Sequence, residues 1–318
     1  MDGGRIGVTM GAMRILVALG GNALLRRGEP ADAGAQRRNV EPAAEGLAAI
    51  AADNELIISH GSGSQVGRLA TQSESCHEVA PHPLDVRGAE SAGTVGQMLG
   101  LALRNAMPDR DVVTVLTEVV VNPDDPEFRQ PSKPIGPVYS LAEAEVLARE
   151  RGWIVGRDGS SFRRLVPSPE PTAVAELRSL RVLIESGALL ICAGGGTPVT
   201  LDGAGKMRGV EAVIDEDLTA ALLARRLDAD LLLMLSDVEA IHLDWRTDRS
   251  RPLREASPAQ LRALEFPAGS IGPKVEAACR FVEATGRQAA VGALADAERI
   301  VRGEAGTQVG SRALTPRA

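Results

Sequence analysis

Lysine is scarce in this chain of 318 residues: of its 35 basic residues only Lys133, Lys206 and Lys274 are lysine, and the rest are arginine. Arginine presents a flat, permanently charged fork, whereas lysine is a compact point charge on a flexible stem. A composition pushed towards arginine keeps lysine where a point charge is needed. Aromatic residues make up only 2% of the chain, so the core is built from Ala, Val, Leu and Ile. The three cysteines, Cys76, Cys192 and Cys279, are odd in number, far apart and without metal-ligand spacing. That argues against disulfides and for a reducing, cytoplasmic setting. No apolar run reaches membrane-spanning length, and the opening "MDGGRIGVTMGAMR" lacks the basic start and apolar middle of a signal peptide. A net charge of −7 and a pI near 5.3 speak against a nucleic-acid partner. No Lys/Arg run suggests an anionic membrane surface.

What is present is the composition of an ordinary globular protein, 44% apolar and 24% charged. Short apolar runs end in glycine turns and alternate with Ala/Leu/Arg segments of helical period. Strands are expected at 14–21, 55–63, 112–121, 188–196, 229–241 and 288–294. Helices are expected at 43–53, 92–107, 173–187, 217–228 and 274–286. Continuous apolar strands alternating with helices predict an α/β fold, a mainly parallel sheet covered on both faces. The interval from about 122 to 170 breaks the alternation and is rich in Pro, Asp and Arg, which predicts an excursion from the sheet that could serve as a lid.

Ligands of such sheets sit beyond the carboxyl ends of the strands, and here those ends carry Gly20-Gly21, Gly61-Ser62-Gly63 and Gly194-Gly195-Gly196. Helix amino termini follow the first two, so backbone N–H groups would converge where an anion could bind. Neither a P-loop nor a G-x-G-x-x-G fingerprint after the first strand is present. Lys274 follows "GSIGP" and opens a helix, where a cation meets the positive end of the dipole. Its place after close-packing glycines points to an anionic ligand. Lys133 lies in the excursion, and Lys206 reads as a hairpin tip. In "VIDEDL", Asp217 admits two readings, an N-cap or first-turn residue, or an aspartate that orients a catalytic lysine or holds Mg²⁺. His60 reads as a loop anchor. Ser62 has no evident base, which leaves hydrolase chemistry without support.

Taken in order, "VALGGNALL", "LIISHGSGSQVG", "PLDVRGA", "TVLTEVVVNPDDPEF", "SKPIGP", "RRLVPSPEP", "ICAGGGTPV", "GVEAVIDEDL" and "GSIGPKVEAACRFVEATG" resemble carbamate kinase, of the amino-acid kinase superfamily, from about residue 14 to 310. The resemblance implies an open αβα sandwich and a homodimer, an acid-binding lobe over 14–200 and an ATP–Mg²⁺ lobe over 201–318. It implies reversible phosphoryl transfer between ATP and carbamate, and a place in arginine metabolism. By position, Gly20, Gly21 and Asn22 would line the transferred group, and Gly61, Ser62 and Gly63 would receive the acid and the phosphate. Lys133 would reach in from the excursion, Lys274 would sit on the nucleotide phosphates and Asp217 would organise the lysines. Ser236, Asp237 and Gly272 would lie beside the nucleotide.

Departures from the family pattern cluster in the sequence. Glu216 stands where the family has the lysine of "IDKD", a two-unit change of charge beside the transferred phosphate. Lys206 or Arg208 could restore the missing charge. Ser62 replaces asparagine, Glu90, Ala92 and Gln97 alter a second motif, and the "GGGG" turn is one glycine shorter. Three functions are therefore weighed: carbamate kinase; a kinase of the same fold for a larger carboxylate or a phosphonate, with Ser62 and Ala92 enlarging the pocket; and a catalytically silent ligand-binding protein.

Overall fold

Continuous apolar runs become strands buried on both faces, and the longest of them form the centre of the molecule. The computed structural model describes residues 12–24, 29, 32–61, 65–67, 69, 70, 72, 82–192, 194–244, 247–266 and 271–310. Its main sheet has eight strands, in the order Glu255–Ala256, Thr307–Val309, Gln288–Ala293, Leu231–Ser236, Arg14–Leu19, Glu55–His60, Leu189–Cys192 and Val112–Val115. Every pairing is parallel except that of Gln288–Ala293 with Thr307–Val309. Strands from both halves of the chain interleave, so Arg14–Leu19 lies between Leu231–Ser236 and Glu55–His60.

Alternation along Arg14–Leu19 divides the core in two. Ile15, Val17 and Leu19 face the cluster that includes Val40, Leu47, Leu99 and Leu103, from the helices Ala33–Ala51 and Leu84–Ala106. Leu16 and Ala18 face the other cluster, with Leu180, Leu223 and Phe281 from the helices Leu177–Glu185, Glu216–Arg226 and Gly272–Thr285. The result is the expected three-layer αβα sandwich. Each fully buried Leu, Ile or Val in it contributes roughly 1.5–3 kcal/mol by removal from water.

Three segments differ from the sequence expectation. The strand expected at 229–241 spans only Leu231–Ser236, and Ile241–Leu243 pairs instead with Arg251–Leu253 in a separate two-stranded sheet. The run 112–121 is not one strand: it breaks at Leu116-Thr117 into Val112–Val115, an edge of the main sheet, and Glu118–Val121, which joins a second sheet of four strands. The segment 173–187 is not helical throughout. Pro171–Val174 pairs antiparallel with Glu118–Val121, and the helix begins only at Leu177.

The excursion is a small unit of its own. Lys133–Tyr139, Ser161–Val166 and Ile154–Asp158 form a three-stranded antiparallel sheet, with the helix Leu141–Arg151 started by a Ser140/Glu143 capping box. Ile135 and Val166 pack on Leu84 and Val213 of the body in a separate apolar contact. Arg164 Nη2 lies 3.8 Å from Glu211 Oε2, and Glu211 Oε1 accepts a 2.9 Å bond from the Leu84 N–H.

Candidate active site

The carboxyl ends of three adjacent parallel strands meet at Gly20, Gly61 and Ser236. Hydrogen bonding there continues the sheet: the Gly20 N–H donates to Leu235 O at 2.9 Å and the Gly61 N–H to Leu19 O at 2.6 Å. These two N–H groups are therefore spent on backbone rather than aimed at an anion. What the glycines supply is room. A β-carbon on Gly20 would stand 3.0 Å from Lys274 Nζ, and one on Gly61 would stand 2.9 Å from Glu216 Oε1. Both turns lack a side chain where a charged group passes.

Lys274 and Asp217 form a buried ion pair. Each is placed in the first turn of a helix, Gly272–Thr285 and Glu216–Arg226. Lys274 Nζ donates to Asp217 Oδ1 at 2.8 Å and to Oδ2 at 3.1 Å, and both side chains are nearly inaccessible. The cap of the Glu216–Arg226 helix is Asp215, not Asp217: its Oδ1 accepts from the Asp217 and Leu218 N–H groups. Its Oδ2 faces Lys133 Nζ at 3.4 Å, and Glu216 Oε2 faces the same ammonium at 3.5 Å. So Lys133 and Lys274 reach one cluster of three carboxylates. Lys206 and Arg208 do not restore the charge at Glu216, because both are exposed on the hairpin of Thr197–Leu201 with Met207–Gly209.

Two ammonium groups against three carboxylates leave one excess negative charge, and proton affinities in the cluster follow. Burial pushes Asp217 up to about 6, against the pull of Lys274 and with the push of Glu216 and Asp215. Burial alone would lower Lys274, but Asp217 and Glu216 outweigh it and hold the ammonium above its usual range. At Lys133 burial is likewise outweighed, by Glu216 and Asp215. Burial would raise Glu216, yet Lys133 and Lys274 hold it below the ordinary carboxylate range.

Two hollows adjoin the helices that carry the cluster, one through Ile271 and the other through Glu216. A cavity of about 350 Å³ lies beyond the end of Leu231–Ser236, lined by Val238, His242, Leu264, Phe266 and Ile271 among others. Ile271 is also the residue before the Gly272–Thr285 helix, whose amino end carries no side-chain cap. Ser236 Oγ donates to Asp237 Oδ1 at 2.9 Å at the same strand end. A recess of about 20 Å³ is lined by Val66, Leu84, Gly88, Gly195, Gly196 and Glu216 among others. Glu90 and Gln97 do not line it; both are exposed, and Glu90 Oε1 lies 2.9 Å from His82 Nδ1. Ala92 is half-buried on the same helix and also stands outside the recess lining. Ser62, Gly63 and the side chain of Asn22 lie outside the described residues, as does Cys76.

His60 is not an anchor held by hydrogen bonds. It is buried with no partner at Nδ1. Burial pulls its pKa down to about 4, so it is a neutral packing residue. Asp215 is the site residue that sequence reasoning passed over. The signal was present: it is the first of the acids in "IDED", and an aspartate just before a helical run is the ordinary capping position.

A three-layer sheet with two lysines and a buried aspartate at its carboxyl ends defines a class. The chain belongs to the amino acid kinase family, whose model matches residues 13–292. Within that family it stands with the carbamate kinases. It is 48% identical to the carbamate kinase of Rhizobium meliloti over 303 residues, 94% of each chain. It is 49% identical to that of Haemophilus influenzae over 299 residues, covering 93% of this chain and 96% of the relative. Among solved structures it is similar to carbamate kinase from Giardia lamblia bound to AMP-PNP, with 36% identity, a TM-score of 0.86, and coverage of 94% of this chain and 98% of that one.

Proposed function

We propose that this chain is a carbamate kinase, an ATP-dependent enzyme that moves a phosphoryl group reversibly between ATP and carbamate. The observation that carries the reading is the meeting of Lys133 and Lys274 on one carboxylate cluster at the carboxyl ends of the parallel strands. Phosphoryl transfer asks the protein for little covalent chemistry; it asks for positioning and for neutralisation of charge on the moving oxygens.

In this reading the nucleotide fills the cavity beside Ser236 and Asp237, with its phosphates at Gly272 and the uncapped start of the Lys274 helix. Lys274 neutralises oxygens of the transferred group, and Asp217 fixes where its ammonium stands. Lys133, brought by the excursion, covers the group from the other side. Gly20, Gly21 and Gly61 border its path, and the family resemblance assigns Asn22, Ser62 and Gly63 to the same role. Residues 14–200 thus serve the acid and 201–318 the nucleotide. Mg²⁺ enters with ATP, since it is commonly carried on nucleotide phosphates.

A homodimer is supported by the open edge strand Val112–Val115, flanked by exposed Leu101 and Leu116. A cytoplasmic setting is supported by the free, buried thiols of Cys192 and Cys279. Among the described residues no helix is long and apolar enough to cross a membrane. The test of the function is coupled ATP formation from carbamoyl phosphate and ADP–Mg²⁺. Robust turnover is expected; none, with ADP still bound in calorimetry, would send the acceptor search to other small acids.

A further inference from the structure

Glu216 occupies ground that a phosphate-handling site would be expected to leave to its ligand. Its carboxylate is pressed into the space left by the missing side chain of Gly61: a β-carbon there would stand 2.9 Å from Oε1 and 2.8 Å from the backbone nitrogen of Gly21. The other oxygen lies 3.5 Å from Lys133 Nζ. An anion therefore already stands where the two glycine turns approach each other, and it already engages the lysine that the excursion brings. The charged groups around it are Asp215 and Asp217 on its own helix, Lys133 on the excursion and Lys274 on the Gly272–Thr285 helix. Their sum with Glu216 is negative, so an incoming anion meets a site whose positive charge is spent.

We propose that Glu216 is an internal counter-anion that determines affinity and selectivity on the acid side: an arriving phosphoryl group must take Lys133 from it. The proposal rests on the phosphoryl-transfer reading for the role of Lys133. It makes Glu216 a specificity-determining residue whose effect falls on the acid phosphate and not on the nucleotide. Dianions lose more affinity than monoanions, since repulsion scales with ligand charge. The same contact ties the excursion to the body, so ligand entry and a change of partner at Lys133 are one exchange.

The experiment compares wild type with Glu216→Gln, which removes the charge and keeps the shape, and with Glu216→Asp, which keeps the charge. Two quantities are read: the KM for carbamoyl phosphate at saturating ADP–Mg²⁺, and the Kd of inorganic phosphate by calorimetry, which needs no turnover. The glutamine variant is expected to lower both about tenfold, the effect of one unit of charge across a partly exposed contact. The KM for ADP should move by less than about twofold, and the aspartate variant should stay near wild type. Unchanged or weaker phosphate binding in a folded Glu216→Gln protein overturns the proposal; if that variant melts early, Glu216→Ala carries the same expectation. Turnover of carbamoyl phosphate by none of the proteins, with phosphate still tightened in the glutamine variant, sinks the carbamate reading and leaves the counter-anion standing.

Discussion

Lys274 and Lys133 bring their ammonium groups to the same carboxylates from two unlike regions. The body holds Lys274 inside a continuous apolar core, 7% exposed and 2.8 Å from its partner. The excursion holds Lys133 at 20% exposure with contacts of 3.4 and 3.5 Å, and it is itself seated on the body by one small apolar contact and the Arg164–Glu211 pair. The first cation is fixed before any ligand arrives. The second comes from a separate unit, and its position depends on how that unit packs on the body. Preorganised charge lowers a barrier without rearrangement during the reaction; a delivered charge trades some of that for access.

Four changes test this contrast, from the body outwards. Lys274→Ala should lower turnover about 10³-fold, the scale of losing a preorganised charge at the reacting group. The fold should persist because Asp217 can take up a proton, so circular dichroism and the coupled assay together decide it; near-normal turnover removes Lys274 from the reaction. His60 comes next, through stability. Its folded pKa of about 4 lies below the usual 6.5, so the unfolded chain binds the extra proton. Stability is then complete above pH 6.5 and falls by on the order of 3 kcal/mol as pH drops towards 4. Denaturant melts across that window should show this slope in wild type and a shallower one in His60→Gln.

Lys133→Ala should cost about 10²-fold in kcat/KM for carbamoyl phosphate with an unchanged melting temperature, since its ammonium is already part-solvated. A larger loss than that of Lys274→Ala would reverse the ranking of fixed over delivered charge. The smallest effect is expected of Ile135→Ala, which removes the centre of the contact with Leu84, Val166 and Val213. It should cost about 2 kcal/mol, confined to the excursion. Hydrogen exchange should then quicken over 133–166 and stay slow in Arg14–Leu19; a uniform change across the body would show that the two regions are one cooperative unit.

The body was the readable part of the sequence. Runs such as "RILVAL" and "ELIISH" declare buried strands through their composition, and glycines mark their ends. The run 112–121 misled because an apolar stretch carries no period that would reveal a break; Leu116, 53% exposed, turns outward and lets Thr117 lead into another sheet. Ala173 and Val174 read as the start of a helix, but their pairing with Val120 and Val119 overrode local preference. At the site, the rarity of lysine and the neighbouring glycines singled out Lys274, which the structure places in a buried pair with Asp217. The grip of Glu216 on Lys133 could not be read, because it spans 83 positions and arises only when the excursion docks.

Trp153 stands half-buried in that excursion with guanidinium groups against its ring, Arg151 at 5.1 Å and Arg164 at 4.9 Å. Arg164 is the same residue that reaches Glu211 on the body. Indole emission responds to neighbouring charge and to solvent, and the chain has only two tryptophans. With Trp245 replaced by phenylalanine, the molecule therefore carries its own optical gauge of the excursion, one that a stopped-flow instrument can follow while carbamoyl phosphate enters.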